Sequence, residues 1–104
     1  MIRHYQTIAE ISTEMLDKAQ TQQWDELIEL GKRYHDAVEH LKTLAPLDDD
    51  QKATRRELLT RILDNDAHIR TLVSPEMERL SHLLGVFKRQ RTVLQTYYSG
   101  ARPR

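Results

Sequence analysis

Apolar residues recur at alternating three- and four-residue steps along nearly the whole chain, and only an α-helix places such residues on one side. The clearest run is Trp24, Leu27, Gly31, Tyr34, Val38, Leu41 and Ala45. Its 3-4-3-4-3-4 spacing averages 3.5 residues, the period of helices that pack along a shared seam. Ile2, Tyr5, Ile8, Ala9, Met15, Leu16 and Ala19 mark a first helix of the same kind. No stretch alternates with the two-residue period of a strand, and no internal repeat is present. Only three Gly and three Pro occur in 104 residues, so few positions can interrupt a helix. The fold class expected is all-α.

The boundaries follow from polar and ring-containing residues. Thr21-Gln22-Gln23 is a short polar link, so the first two helices are expected to fold back as an antiparallel hairpin. Pro46 disfavours helical geometry at Ala45 and ends the second helix. Asp48 then caps a third, with Asp49 and Asp50 in the first turn and Gln51 at the capping-box position. Its seam runs Leu59, Ile62, Asp66, Ile69, Val73, Met77, Leu80, Leu84, Phe87, Arg91, Leu94 and Tyr98. Ser74-Pro75-Glu76 reads locally as a fresh helix start, but the seam keeps its phase across it. The expectation is therefore one long third helix kinked at Pro75, with a short C-terminal helix from Val86 after a weak point at Gly85. Residues 1–104 form a single domain on this reading, the hairpin in 1–45 and the later helices in 48–98, a three- to four-helix bundle.

Composition narrows the function. There is no Cys, which excludes disulfides and thiol chemistry and suits a reducing compartment, the cytoplasm. No apolar stretch is long enough for a signal peptide or a membrane span, so no membrane association is expected. His35 and His40 are five apart and point in different directions on a helix, no His-Glu-x-x-His occurs, and no phosphate-binding loop or nucleophile elbow fits around Gly31, Gly85 and Gly100. Neither an enzyme nor a cofactor is expected. Residues 1–85 hold 11 basic and 16 acidic groups, whereas 86–104 hold five basic and none acidic. A patch that small in a neutral protein does not predict direct nucleic-acid binding.

Apolar surplus is what stands out. Leu80, Leu84, Phe87, Leu94, Tyr98 and the adjacent Leu83, Val86, Val93, Tyr97 make a face wider than a thin bundle needs, and Leu58, Leu63 and Leu72 widen the third helix. Such surplus predicts a groove that takes a partner helix. Val86, Phe87, Val93, Leu94, Tyr97 and Tyr98 are read as a lid over that groove, hinged at Gly85. The seam of the second helix, with Gly31, Tyr34 and Val38, is read as supporting a homodimer; Gly31 calls for a close helix approach, within the fold or across the dimer. Asp66 occupies a seam position, so either Arg61 or Arg70 reaches it or the seam is open to water there.

Four short motifs carry a resemblance. Trp24-Asp25-x-Leu27-Ile28, Leu63-Asp64-Asn65-Asp66, Leu80-Ser81-x-Leu83-Leu84-Gly85, and Arg89-Gln90 followed by an aromatic at Tyr97 or Tyr98 stand in the order and spacing of the FliT family from about Gln23 to Tyr98. The chain thus resembles a family of cytoplasmic flagellar export chaperones. The resemblance implies binding of the filament-cap protein (FliD), delivery to the flagellar export apparatus, homodimerisation through the N-terminal half and, as in enteric members, binding of the flagellar master transcription regulator. Carried over by residue, the client surface is Ile62, Leu63, Asp66, Ile69, Leu72, Leu80, Leu83 and Leu84. Ser74-Pro75 departs from the pattern, since an uninterrupted helix is expected there.

Overall fold

A computed structural model describes residues 2–41, 43 and 49–98. Four helices fill them: α1 (Ile2–Gln20), α2 (Trp24–Leu41), α3 (Asp49–Val73) and α4 (Met77–Tyr98), with a single 3-10 turn, Ser74–Glu76, between the last two. No strand occurs among the described residues. The capping expected at Asp48 and the stop at Pro46 lie outside them, as does Ser99-Gly100.

The hairpin of α1 and α2 forms as its polar link predicts. Gln22 takes a left-handed backbone, φ 58°. Gln23 N–H donates to the Lys18 carbonyl at 2.9 Å and Gln22 N–H to that of Ala19 at 3.2 Å, which closes the end of α1 in a Schellman arrangement. Gln23 O then accepts the first helical bond of α2, from Leu27 N–H. Asp25 and Glu26 sit in that first turn, where the helix dipole favours them.

The expectation of one long kinked helix is corrected. A helix continuous from Asp49 to Tyr98 would run about 75 Å, while the longest dimension of the molecule is 41 Å. The chain instead reverses at Ser74–Glu76, and the ends of α3 and α4 meet: Arg56 Nη2 donates to the Tyr98 carbonyl at 3.4 Å, and its guanidinium lies 5.0 Å from the centre of the Tyr98 ring. Local chemistry decides this. Pro75 lacks an N–H and its ring obstructs the preceding turn, so the helix is cheapest to break there, and burial of both apolar faces in a hairpin outweighs continuity. The separate short helix after Gly85 is corrected as well. α4 runs through Gly85, and its departure from helical geometry lies at Leu80 (φ −111°, ψ 18°).

These reversals set the packing. α1 lies between α2 and α3, and α4 also touches both α2 and α3. Tyr5 meets Arg55 near the start of both helices and Thr13 meets Arg61 and Asn65 further along, so α1 and α3 run parallel. Tyr34 meets Phe87 and Glu39 meets Gln90, so α2 and α4 also run parallel. Two antiparallel hairpins are thus laid side by side. Ile8, Met15, Leu27, Val38, Leu59, Ile62, Ile69 and Leu94 are buried at the centre. Buried positions in α3, Leu59, Ile62, Asp66, Ile69 and Val73, keep the predicted seam. In α4 the seam is Leu80, Leu83, Phe87, Gln90 and Leu94, so Leu83 and Gln90 are buried where Leu84 and Arg91 were expected. Leu80, Phe87 and Leu94 keep their expected places, and only the positions between them fall one residue earlier.

Two positions are exchanged relative to backbone preference. Gln22 occupies a left-handed site that glycine favours, while Gly85 sits in mid-helix, exposed, with nothing within 4 Å of where a Cβ would stand. Gly85→Ala is expected to stabilise the fold by up to about 1 kcal/mol, and Gln22→Gly by a smaller amount. Thermal unfolding of the two variants and their combination checks both, and a lower melting temperature for Gly85→Ala would show that α4 is not continuous there.

Candidate functional site

A groove of about 500 Å³ lies between α2 and α4. It exists because a notch on α2 receives α4. Gly31 is buried, and a Cβ there would run into Leu83 Cδ1, so the missing side chain is what lets Leu83 seat on α2. The close approach inferred for Gly31 is thus made within the chain. Ile28, Gly31, Leu80, Leu83 and Val86 form the apolar floor. Lys32 and His35 stand on the α2 side with Asp36, and Arg79, His82 and Arg89 on the α4 side.

The charges on this rim differ in how they are held. Lys32 pairs with Glu29 at 3.0 Å, and His35 lies 3.3 Å from Asp36 and 3.6 Å from Glu39. No ion pair within 4.0 Å holds Arg79, His82 or Arg89 among the described residues. The surface around Glu14, Asp25, Glu26 and Glu29, on the α1–α2 hairpin, is by contrast acidic.

The core also holds a buried polar cluster. Asp66 is 1 % exposed; its Oδ2 accepts from Arg70 Nε at 3.0 Å, which settles the choice of partner, since Arg61 goes to Thr13 Oγ1 at 2.9 Å. Burial raises the Asp66 pKa above its ordinary value, and Arg70 and Arg91 oppose that rise. Burial, and then the charge of Asp66, push the Tyr34 hydroxyl far up, so it stays protonated. Asp66 Oδ1, Tyr34 OH and Gln90 Oε1 are buried without a hydrogen-bond partner among the described residues, although Gln90 Nε2 donates to Glu39 at 3.4 Å. Three helices thus contribute incompletely satisfied polar groups to the core.

The residues expected to bind a client divide by burial. Ile62, Asp66, Ile69, Leu80 and Leu83 are buried, and Leu63, Leu72 and Leu84 are half-buried. Of the lid residues, Val86, Phe87 and Leu94 are buried, Val93 and Tyr97 half-buried and Tyr98 exposed; Tyr97 meets Tyr5 of α1 edge-on at 6.4 Å. Gly31, Tyr34 and Val38, expected at a dimer contact, are buried within one chain, and Tyr34 faces Phe87 at 5.8 Å. Ile28, Lys32, Arg79, His82 and Arg89 were not anticipated as groove residues. The signal available was the i, i+4 pair of Ile28 and Lys32 beside the α2 seam. Among the described residues, no three His, Asp or Glu side chains group to hold a metal ion, and no helix is long and apolar enough to cross a membrane.

Comparison with known proteins fits this geometry to a lineage. The family described as flagellar protein FliT matches residues 2–99. The chain belongs to the FliT family. Flagellar protein FliT of Serratia proteamaculans is 33% identical over 100 residues, covering 93% of this chain and 82% of that relative. Those of Pectobacterium carotovorum and Yersinia enterocolitica are 30% and 33% identical, covering 93% of this chain and 79% and 83% of theirs. No solved structure matches. The family match includes α1, which carried none of the four motifs, and it spans the turn at Pro75.

Proposed function

We propose that this FliT-family protein is a cytoplasmic export chaperone that binds the flagellar filament-cap protein and keeps it from assembling before it is secreted. The supporting observation is that α4, the last helix among the described residues, is packed less extensively than α1 and covers apolar residues of α2 and α3. A chain built this way satisfies its own binding surface until a client helix takes the place of the part of α4 from Val86 onward. The client surface proposed is Ile62, Leu63, Asp66, Ile69, Leu72, Leu80, Leu83 and Leu84, with the segment from Val86 as the lid. Self-association through Gly31, Tyr34 and Val38 requires displacement of α4.

Leu72→Asp is the informative substitution, because Leu72 is only half-buried and its loss is expected to leave the fold in place. Leu83→Asp is not, since Leu83 fills the Gly31 notch. Burying a leucine contributes about 1.5–3 kcal/mol, so Leu72→Asp is expected to weaken binding of the C-terminal part of the cap protein at least tenfold in calorimetry, with helical content unchanged. Removing residues from Val86 onward is expected to tighten it, about tenfold for each 1.4 kcal/mol of covering contact released. Unchanged affinity in a folded Leu72→Asp variant would remove α3 from the client surface, and weaker binding by a folded truncation would make the lid part of that surface.

A further inference from the structure

The α2–α4 groove is open while α4 is seated; Leu80, Leu83 and Val86 of its floor also stand in the proposed client surface and lid, and a partner docked here meets them without displacing α4. We infer that this groove docks an acidic amphipathic helix from a partner protein. Its floor is apolar and belongs to two parallel helices that leave Ile28 half-buried, with Leu80, Leu83 and Val86 beside it. Its walls are cationic: Lys32 on α2, and Arg79 and Arg89 on α4, all exposed, against a single carboxylate, Asp36. Arg79, His82 and Arg89 follow one another at steps of three and seven residues, so they line one edge of α4. The Lys32–Glu29 pair is two-thirds exposed on both sides and yields readily to a competing carboxylate.

Charge selects the occupant. Residues 99–104 carry Arg102 and Arg104 and no acid, so they do not complement the rim. An apolar stripe at i, i+3, i+4 and i+7 fits the floor, and Asp or Glu on both flanks meets the two walls. The α2 wall from Ile28 to His35 spans about 10 Å and the α4 wall from Arg79 to Arg89 about 15 Å. Two to three turns of partner helix are therefore engaged. Opposite charges on the rim mainly set which helix is accepted and how fast it arrives, while the floor supplies the holding contacts.

The test uses the full chain and two fluorescein-labelled, end-capped synthetic peptides of about fifteen residues, long enough to hold helix. Both carry leucine at the stripe positions; one has Glu and the other Lys on the flanks. Fluorescence anisotropy is expected to show the Glu peptide binding at least about tenfold more tightly than the Lys peptide, a difference of 1.4 kcal/mol, and the preference should shrink in high salt. Combined Arg79→Glu and Arg89→Glu should reverse the preference, and Arg79→Gln with Arg89→Gln should abolish it, with circular dichroism unchanged in both. Equal binding of the two peptides, binding of neither, or indifference to these substitutions overturns the inference. So does concentration-dependent self-association, seen by light scattering and lost in the Glu variant, which would give the groove to a second copy. Calorimetry with the cap-protein segment runs alongside: if that binding persists while the peptide fails, the docking inference falls and the chaperone reading stands.

Discussion

Phe87→Ala is expected to lower the unfolding free energy by about 3–5 kcal/mol, the range for truncating a buried aromatic. Phe87 is 1 % exposed and packs on Tyr34 at 5.8 Å, so its ring ties α4 to α2 at the middle of the bundle. Against a typical domain stability of about 5–15 kcal/mol, the loss removes a large part of the total. Urea unfolding followed by circular dichroism should show a much lower midpoint with the same slope. A loss under about 1 kcal/mol would mean that the middle of α4 is not seated on α2 as described. Leu84→Ala, half-buried one turn earlier, should cost clearly less.

Arg70→Met is expected to cost about 3 kcal/mol at neutral pH and much less in acid. Removing one partner of a buried ion pair leaves an uncompensated charge, at about 3–5 kcal/mol. The low end applies because the Arg70 side chain is 36% exposed and Arg91 still acts on Asp66. The direction in pH follows from the raised folded pKa of Asp66. Its contribution to stability is present in full below its unfolded value near 3.8 and is lost as pH rises through the higher folded value. Without Arg70 the folded value moves higher still, so more stability is lost by pH 7. Urea midpoints of wild type and variant should converge in acid and separate towards neutrality. Asp66→Asn added to Arg70→Met should recover most of the loss, and a pH-independent difference would show that Asp66 is not the group stranded.

Much of this architecture was readable from residue spacing alone. The inward faces of α1, α2 and the Leu59–Val73 part of α3 follow the seams that apolar periodicity marks. Pro75 was misread because the apolar phase continues across it, and phase carries no information about whether a helix turns back. The same continuity put Arg91 rather than Gln90 on the inward face. Gly85 was taken for the weak point of the last helix, yet a glycine in a helix lowers its stability without breaking it, and the observed break is at Leu80. Nothing in the spacing brings Ile28 beside Val86, because that neighbourhood exists only once the hairpins are laid parallel. The basic rim was hidden for the same reason.

That parallel arrangement also dictates the order in which the molecule assembles. Each hairpin joins helices separated by a few residues, whereas contacts between the hairpins, such as Ser12–Asn65 and Glu39–Gln90, close loops of 53 and 51 residues. Loop closure grows costlier with length and folding slows as contacts become more distant in sequence. The two hairpins are therefore expected to form early and to dock in the slow step. During synthesis the first hairpin emerges while the apolar surface it shares with α3 and α4 still awaits helices not yet made. The nascent chain thus exposes a sticky face longest in the half that is finished first.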